Sequence, residues 1–492
     1  MGQVVLIDML PDDVLLEIFD FFAKILYLTQ RRTQRDIMWW QTLVHVCRRW
    51  RSIVFGSPRR LNLRLFCSDK TPARDTLDIW PALPLYIQCG EGAETADNIL
   101  AVLERSDRVC HIDLKRIKHS NLKSISALSA AMQVPFPELT SLSLWSKGET
   151  VSALPDSFLG GSAPRLEELW LKGIPFPGLP KLLLSATNLD DLRLQSIPHS
   201  GYFSPEAIVT ALSTLTRLEI FRLYFESPQS RPDPEHQHPH PPTRSVLPNL
   251  KCFWFKGDSE YLEAVVAHID APRLLDLETT LFNDIVFDTP QLTQFISRTP
   301  RMKVLEKAHV IFDGDAAAVE LSSLTSGKYE KLEVIIPCKE LDWQVSSMEQ
   351  VCTSCLPPLP TLDLYIDGNR QHWQGNVENA LWLRLLHPFT FVKNLYLSEE
   401  IARRIVPALQ DLVGERATEV LPTLENIFLE EGQRSGPVRE GIQQVVAVRQ
   451  AAGHPIAVSY QPKVEFDDIE AVEFDDPEEV GSIATDISAQ SQ

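Results

Sequence analysis

Cys352 and Cys355 form a C-x-x-C pair, which is half of a tetrahedral zinc site, and Cys338 and His372 are the conceivable companions. A structural zinc needs four ligands at workable spacing, so a single pair is a weak frame. His236, His238 and His240 alternate in a Pro- and His-rich stretch and offer imidazoles for loose metal binding, but no Cys or carboxylate framework fixes a geometry. Gly90-Glu91-Gly92-Ala93-Glu94-Thr95 lies between an apolar PLYIQC and the helical pattern TADNILAVLER, where a phosphate-binding turn would sit. It lacks the third glycine of such a turn, and a strand-to-helix turn needing glycine explains it better. There is no nucleophile elbow, no Walker lysine in context and no H-E-x-x-H, and the acidic residues are plentiful but unpatterned. The sequence therefore assigns no catalytic residue, no metal site and no cofactor. The expected chemistry is binding.

Binding residues need a scaffold, and length and composition bound it. At 492 residues the chain exceeds one ordinary core, so several domains or a repeat array are expected. A hydrophobic fraction of 44% excludes global disorder. The formal net charge of -19 argues against nucleic acid as a partner, because phosphate recognition rests on clustered Lys and Arg. No apolar run approaches the roughly 20 residues that cross a bilayer. Near the start, VVLIDML is short, lacks a basic lead and meets acids at once, and Leu6 stands where a myristoylation signal wants Ser or Thr. The 8 cysteines are scattered, without the regular spacing of a secreted disulfide scaffold. The expectation is a cytoplasmic or nuclear protein with no membrane partner.

The stretch from Leu10 to Ile53 reads as helical. Pro11 suits a first helical position, and Asp12 and Asp13 complement the positive end of the helix dipole. Val14, Leu15, Ile18, Phe19 and Phe22 then recur at helical spacing as one apolar stripe, and Trp39, Leu43, Cys47, Trp50 and Val54 form a second. Periodicity alone favours an ordinary helical hairpin packed on the rest of the chain. Order and identity add more: Leu10-Pro11, then Ile18-Phe19, then Val46, Cys47, Arg48 and Trp50. This succession resembles an F-box, and the continuation Ser57, Pro58, Arg59, Leu61 is similar to the basidiomycete, fungal form of that domain. The interval from Ala23 to Gln41 is longer than the family's usual connection. The resemblance implies an all-helical F-box domain over residues 5–66 that docks a Skp-family adaptor, and through it a cullin-RING ubiquitin ligase, by apolar helix faces entering a groove. Leu10, Pro11, Leu15, Ile18, Phe19, Val46, Cys47 and Trp50 are its docking and core set, which the sequence does not divide into the two roles.

A second pattern, L-x-x-L-x-L, recurs downstream at Leu139-Leu142-Leu144, Leu166-Leu169-Leu171, Leu189-Leu192-Leu194, Leu359-Leu362-Leu364 and Val392-Leu395-Leu397. Degenerate copies are Val109-Ile112-Leu114, Leu218-Phe221-Leu223, Leu250-Phe253-Phe255 and Leu424-Ile427-Leu429. The spacing approaches the leucine-rich-repeat range of about 20–29 residues. Residues 67–460 thus resemble an irregular leucine-rich-repeat solenoid of α/β class, each unit a short strand in a parallel face followed by a helix such as Glu206 to Leu212. Leu-rich packing of another α/β fold is the alternative.

Strand alternation sends the residues beside the fourth-position apolar residue onto the open face. These include Glu168 and Trp170, Arg193, Arg222 and Tyr224, Trp254 and Lys256, Asp363 and Tyr365, Tyr396, Phe428 and Glu430; Trp145 is of the same kind. Rigid aromatics and Arg dominate interface energetics. Trp170, Arg193, Arg222, Tyr224, Trp254, Tyr365, Tyr396 and Phe428 are the candidate substrate-binding face, the other reading being that these rings cover neighbouring strands.

Two segments interrupt the array. Ser227 to Pro248 is dense in Pro and His and is expected as a flexible insertion. Residues 463–492 carry the duplication VEFDDIEA, VEFDDPEE and are expected as an acidic disordered tail, with Phe466 and Phe474 open to a docking role. Together the resemblances imply a non-catalytic substrate receptor of a Skp-cullin-F-box ligase acting on an unknown protein by proximity. The competing reading is a leucine-rich-repeat scaffold that recruits no ligase.

Overall fold

Pro11 precedes the first helix, α1 (Asp12–Leu28), whose first turn holds Asp12 and Asp13. The computed structural model describes residues 7, 10–28, 37–68, 77–89, 97–117, 122–146, 152–228, 244–282, 289–303, 305–325, 328–356, 361–368, 377–430 and 436–461. The turn at residues 90–95, His236, His238, His240, His372 and the tail from residue 463 lie outside them. Leu15, Phe19 and Ala23 recur every four positions on α1 and are buried. α2 (Trp40–Val44) and α3 (Arg48–Gly56) come next along the chain.

The expected single stripe from Trp39 to Val54 is broken. Cys47 is extended at φ -155° and ψ 170°, and its Sγ accepts the Trp50 N–H at 3.4 Å as an N-cap. A thiol is a weak acceptor, but in that role it ends one helix and starts the next. Trp40 fastens the helices to the segment leading into the first strand. Its indole donates to the carbonyl of Arg64 at 2.9 Å, and its ring packs edge-on against Phe55 and Trp80 at 5.7 and 5.1 Å. The buried apolar core continues through this junction, from Leu15 to Ile456.

Strands begin at Leu65. Along the chain they are β1 (Leu65–Ser68), β2 (Leu85–Cys89), β3 (Val109–Ile117), β4 (Ser141–Ser146), β5 (Glu168–Lys172), β6 (Asp191–Ile197), β7 (Ile220–Phe225), β8 (Ser245–Val246), β9 (Cys252–Gly257), β10 (Ile269–Asp270), β11 (Asp276–Leu281), β12 (Lys307–Phe312), β13 (Ala316–Thr325), β14 (Lys328–Pro337), β15 (Asp363–Gly368), β16 (Asn394–Leu397), β17 (Asn426–Glu430) and β18 (Ala457–Gln461). Sixteen form one sheet in the order β1-β2-β3-β4-β5-β6-β7-β9-β11-β14-β13-β12-β15-β16-β17-β18, while β8 and β10 pair separately. The architecture is α/β, with a large and mostly parallel sheet.

One layer of helices covers one face. Pro205–Leu212 is typical: Ser204 caps it by accepting the Ala207 N–H at 3.3 Å, Pro205 opens it, and Ile208, Ala211 and Leu212 are buried. Successive helices pack side by side, among them Asn379–Leu386, Glu399–Gln410 and Pro437–Ala451. Beneath them, in-register strands align their inward residues, Leu142, Leu169, Leu192, Phe221 and Phe253, and the last two rings stack at 5.2 Å.

The structure differs from the sequence expectation in three further places. β13 runs antiparallel to both β12 and β14, so the parallel face is interrupted by a meander. Its first turn is Asp313-Gly314-Asp315, an Asp-Gly hairpin signal, with the Gly314 N–H on the Asp313 carboxylate at 2.7 Å. Of the insertion expected over 227–248, residues 229–243 lie outside the described ones, while Ser245–Val246 pairs with β10 and Leu247 is buried, so these residues belong to the fold. Leu362-Leu364 is misframed, while Leu359 lies outside the described residues. Leu364 and Ile366 align with Leu395 and Leu397, Thr361 is buried, and Leu362 is 41% exposed, so the unit reads Thr361-Leu364-Ile366. A shift of two residues preserves strand parity and leaves Tyr365 on the open face.

That frame predicts unequal costs. Leu364→Ala should lower unfolding free energy by about 2–5 kcal/mol through transfer loss and a cavity, whereas Leu362→Ala should stay within about 0.5 kcal/mol. Urea denaturation of both variants checks this, and equal losses would reject the frame.

Candidate partner-binding face

The sheet face away from the helices is built by register. One residue from each strand falls in a single transverse row: Ser68, Gln88, Asp113, Ser143, Trp170, Arg193, Arg222, Trp254, Glu278, Glu333, Glu320, His309, Tyr365, Tyr396, Phe428 and Ser459. Seven of the eight candidate face residues lie in it. The eighth, Tyr224, is two residues further along β7, aligned with Lys256.

From β5 to β9 the row combines two arginines with aromatic rings. Trp170 donates its indole N–H to Gln195 at 3.1 Å, and Arg193 makes a forked ion pair with Asp191, closest at 2.8 Å. Arg222, only 6% exposed, has its guanidinium carbon 4.2 Å from the Trp254 ring and 5.5 Å from the Tyr224 ring. Its Nε has no hydrogen-bond partner among the described residues, and burial lowers its pKa. Flat contact with aromatic faces compensates a buried guanidinium better than it would an ammonium. Tyr224 donates to Glu278 at 3.1 Å, and burial together with that carboxylate holds the phenol well above its ordinary range.

The centre is acidic. Glu278, Glu333 and Glu320 are consecutive in the row, an alignment that like charges oppose. Lys331 relieves it, lying 2.7 Å from Glu333 and 3.9 Å from Glu320. Against its own desolvation, Lys331 is held above its ordinary range by Glu333, Glu320 and Glu278, while burial pushes Glu333 up to about 7. Beside them Asp276 accepts the Trp254 indole N–H at 2.8 Å. Burial pushes Asp276 up to about 6 despite that bond and Lys331. Burial lowers the pKa of His309.

The last part is a ring ladder. Tyr365 and Tyr396 stack at 4.1 Å with planes 9° apart, and Tyr396 and Phe428 at 4.4 Å and 8°. Below it the side chains of Asp363, Asn394 and Asn426 are linked at 2.7 and 2.8 Å.

A second surface lies on the helices. The candidate docking set separates into two groups: Leu15 and Phe19 are buried, with Phe19 4.9 Å from half-buried Trp50, and Leu10 and Cys47 are half-buried. Pro11 is exposed, as are Ile18 at 44% and Val46 at 59%. Val14, Phe21 and Phe22 are exposed as well, so the first 46 residues hold six of the fifteen large apolar side chains exposed among the described residues. The forked Arg49–Asp12 pair, closest at 2.6 Å, ties α3 to the start of α1 and fixes the hairpin carrying them.

Among the described residues no group of three or more His, Cys, Asp or Glu is placed to hold a metal ion, and no helix is long and apolar enough to cross a membrane. Cys352 is buried and Cys338 half-buried. Sequence reasoning did not single out Glu278, Glu320, Glu333 and His309, although each alternates with apolar residues. It also omitted the ring series Phe66, Tyr86 and His111, stacked at 6.1 and 4.0 Å across β1–β3. Neither a model of a known protein family nor any curated protein sequence matches the chain.

Asp276 makes stability depend on pH. Its folded pKa of about 6 exceeds the ordinary 3.8, so the folded state binds the proton more tightly, and this contribution is lost as pH rises through about 6. Asp276→Asn should remove about 1–2 kcal/mol of the fall in stability between acidic and neutral pH. Chemical denaturation at both ends of that window is the check, and parallel profiles for variant and wild type would refute it.

Proposed function

We propose that the chain is a substrate receptor of a Skp-cullin-F-box ubiquitin ligase, with an F-box at its start and an irregular leucine-rich-repeat solenoid behind it. The observation that carries the reading is the divided helical hairpin. Leu15 and Phe19 serve the core, while Val14, Ile18, Phe21, Phe22 and Val46 leave an apolar surface facing outward. Single exposed apolar residues are ordinary, whereas Val14, Ile18, Phe21 and Phe22 recur along one helix, which supports a docking surface there. The order of motifs from Leu10 to Trp50 resembles the domain that docks a Skp-family adaptor by such helix faces.

The repeats support the other half of the reading. In-register strands with apolar residues inward present a long row of aromatic and charged side chains outward, the kind of extended surface on which repeat proteins bind partners. The ligase would be held at one end and a target protein along the face. Ubiquitin transfer is then a matter of proximity, and no nucleophile of the chain takes part.

The test is recovery of a purified Skp-family adaptor on the immobilised full chain. Wild type should retain it, and Ile18→Glu with Val46→Glu should reduce recovery at least tenfold while leaving the thermal melt unchanged, since both positions are exposed. No recovery by wild type would instead favour a scaffold that recruits no ligase, and equal recovery by both would place docking elsewhere.

A further inference from the structure

The ladder Tyr365–Tyr396–Phe428 stops one strand short of the edge of the sheet. One face of Phe428 is stacked on Tyr396, and the other looks toward β18, where register places Ser459, an exposed residue without a ring. A shallow cleft of about 40 Å³, open to solvent, lies along this corner, lined among others by Tyr365, Tyr396, Phe428, Asp367, Glu430 and Gln461. Among the described residues no Lys, Arg or His lines it, and Asp367 and Glu430 are the carboxylates there. Glu430 stands two residues beyond Phe428 on the same strand, so both side chains project from the same face.

We propose that this corner is the subsite for an arginine side chain of a partner polypeptide, which rests on the reading of the outward face as the partner surface. The guanidinium continues the ladder, lying flat against Phe428 above Ser459 and donating to Glu430, with Asp367 adding to the negative field. Three properties select arginine. It is planar and stacks on rings, it presents a fork that matches a carboxylate, and it sheds water more readily than an ammonium. Lysine meets the charge but not the plane. An acidic side chain is repelled by both carboxylates, in a chain whose net charge is already -19.

The experiment titrates the full chain with fluorescein-labelled Ala-Ser peptides that carry one central Arg, Lys, Gln or Glu, read by anisotropy up to millimolar peptide. The Arg peptide should bind about tenfold more tightly than the Lys peptide, in line with a stacking and fork contribution, with Gln and Glu weaker still. Ser459→Phe should fill the next step of the ladder and weaken Arg binding at least tenfold, whereas Ser459→Ala should leave it intact. Glu430→Gln should weaken it comparably. Glu138→Gln, which neutralises an exposed partner of Arg165 elsewhere, should not, and this separates the subsite from diffuse attraction to an acidic protein. Equal binding of Arg and Lys, unchanged binding in Ser459→Phe, or no binding of the Arg peptide would each overturn the proposal. Recovery of the Skp-family adaptor is measured on a different surface, so the two readings can fail separately.

Discussion

The in-register backbone ladder is the constraint on which the rest depends. A strand alternates its side chains with a period of two, so where the sixteen strands are hydrogen-bonded in register, as they are apart from local irregularities in the pairings β2–β3, β3–β4 and β6–β7, the side chains are assigned to faces and each face becomes a set of rows. The inward rows are apolar because a helix layer excludes water from them. The outward rows have no such cover and carry whatever chemistry the sequence puts there. A slip of one residue anywhere would exchange the two, burying Arg193 and Trp254 under helices and exposing Leu192 and Phe253. The buried Leu and Phe rows therefore do more than stabilise, since they hold the register that lines up the rings outside.

The start of the chain obeys a different constraint. A short helical hairpin has little core of its own, and here it borrows one: Trp40 reaches the carbonyl of Arg64 immediately before β1 and packs on Trp80, so the helices share the sheet's apolar interior. This attachment uses one side of α1. Leu15 and Phe19 lie on the buried side, while Ile18 on α1 and Val46 in the turn between α2 and α3 stay exposed.

Much of this was legible in the sequence because leucine spacing and strand parity are local. Trp170, Arg193, Arg222, Trp254, Tyr365, Tyr396 and Phe428 could be placed on one face by alternation alone, and even the misframed unit at Thr361 kept its parity. What escaped was what depends on competition between local patterns. LPTLDLYID offers two overlapping sets of apolar residues, and only the packing of Leu364 beside Leu395 chooses between them. Cys47 sits in helical register with Trp39, Leu43 and Trp50, so nothing in the spacing announces that its thiol caps a new helix. The meander of β12, β13 and β14 carries an Asp-Gly turn, yet its long strands lack the leucine frame. The acidic centre supplied by Glu320 and Glu333 was missed with it.

The outward row also shows how like charges are tolerated side by side. Arg193 and Arg222 are neighbours in register, as are Glu333 and Glu320, and each pairing is unfavourable taken alone. The two arginines are given different partners, and the two glutamates share one lysine at unequal distances. Arg193 turns back to Asp191 on its own strand while Arg222 lies against Trp254 and Tyr224; Glu333 takes the close contact with Lys331 and Glu320 the distant one. The result is a face whose sign changes along its length, cationic near β6 and β7 and anionic from β11 to β13.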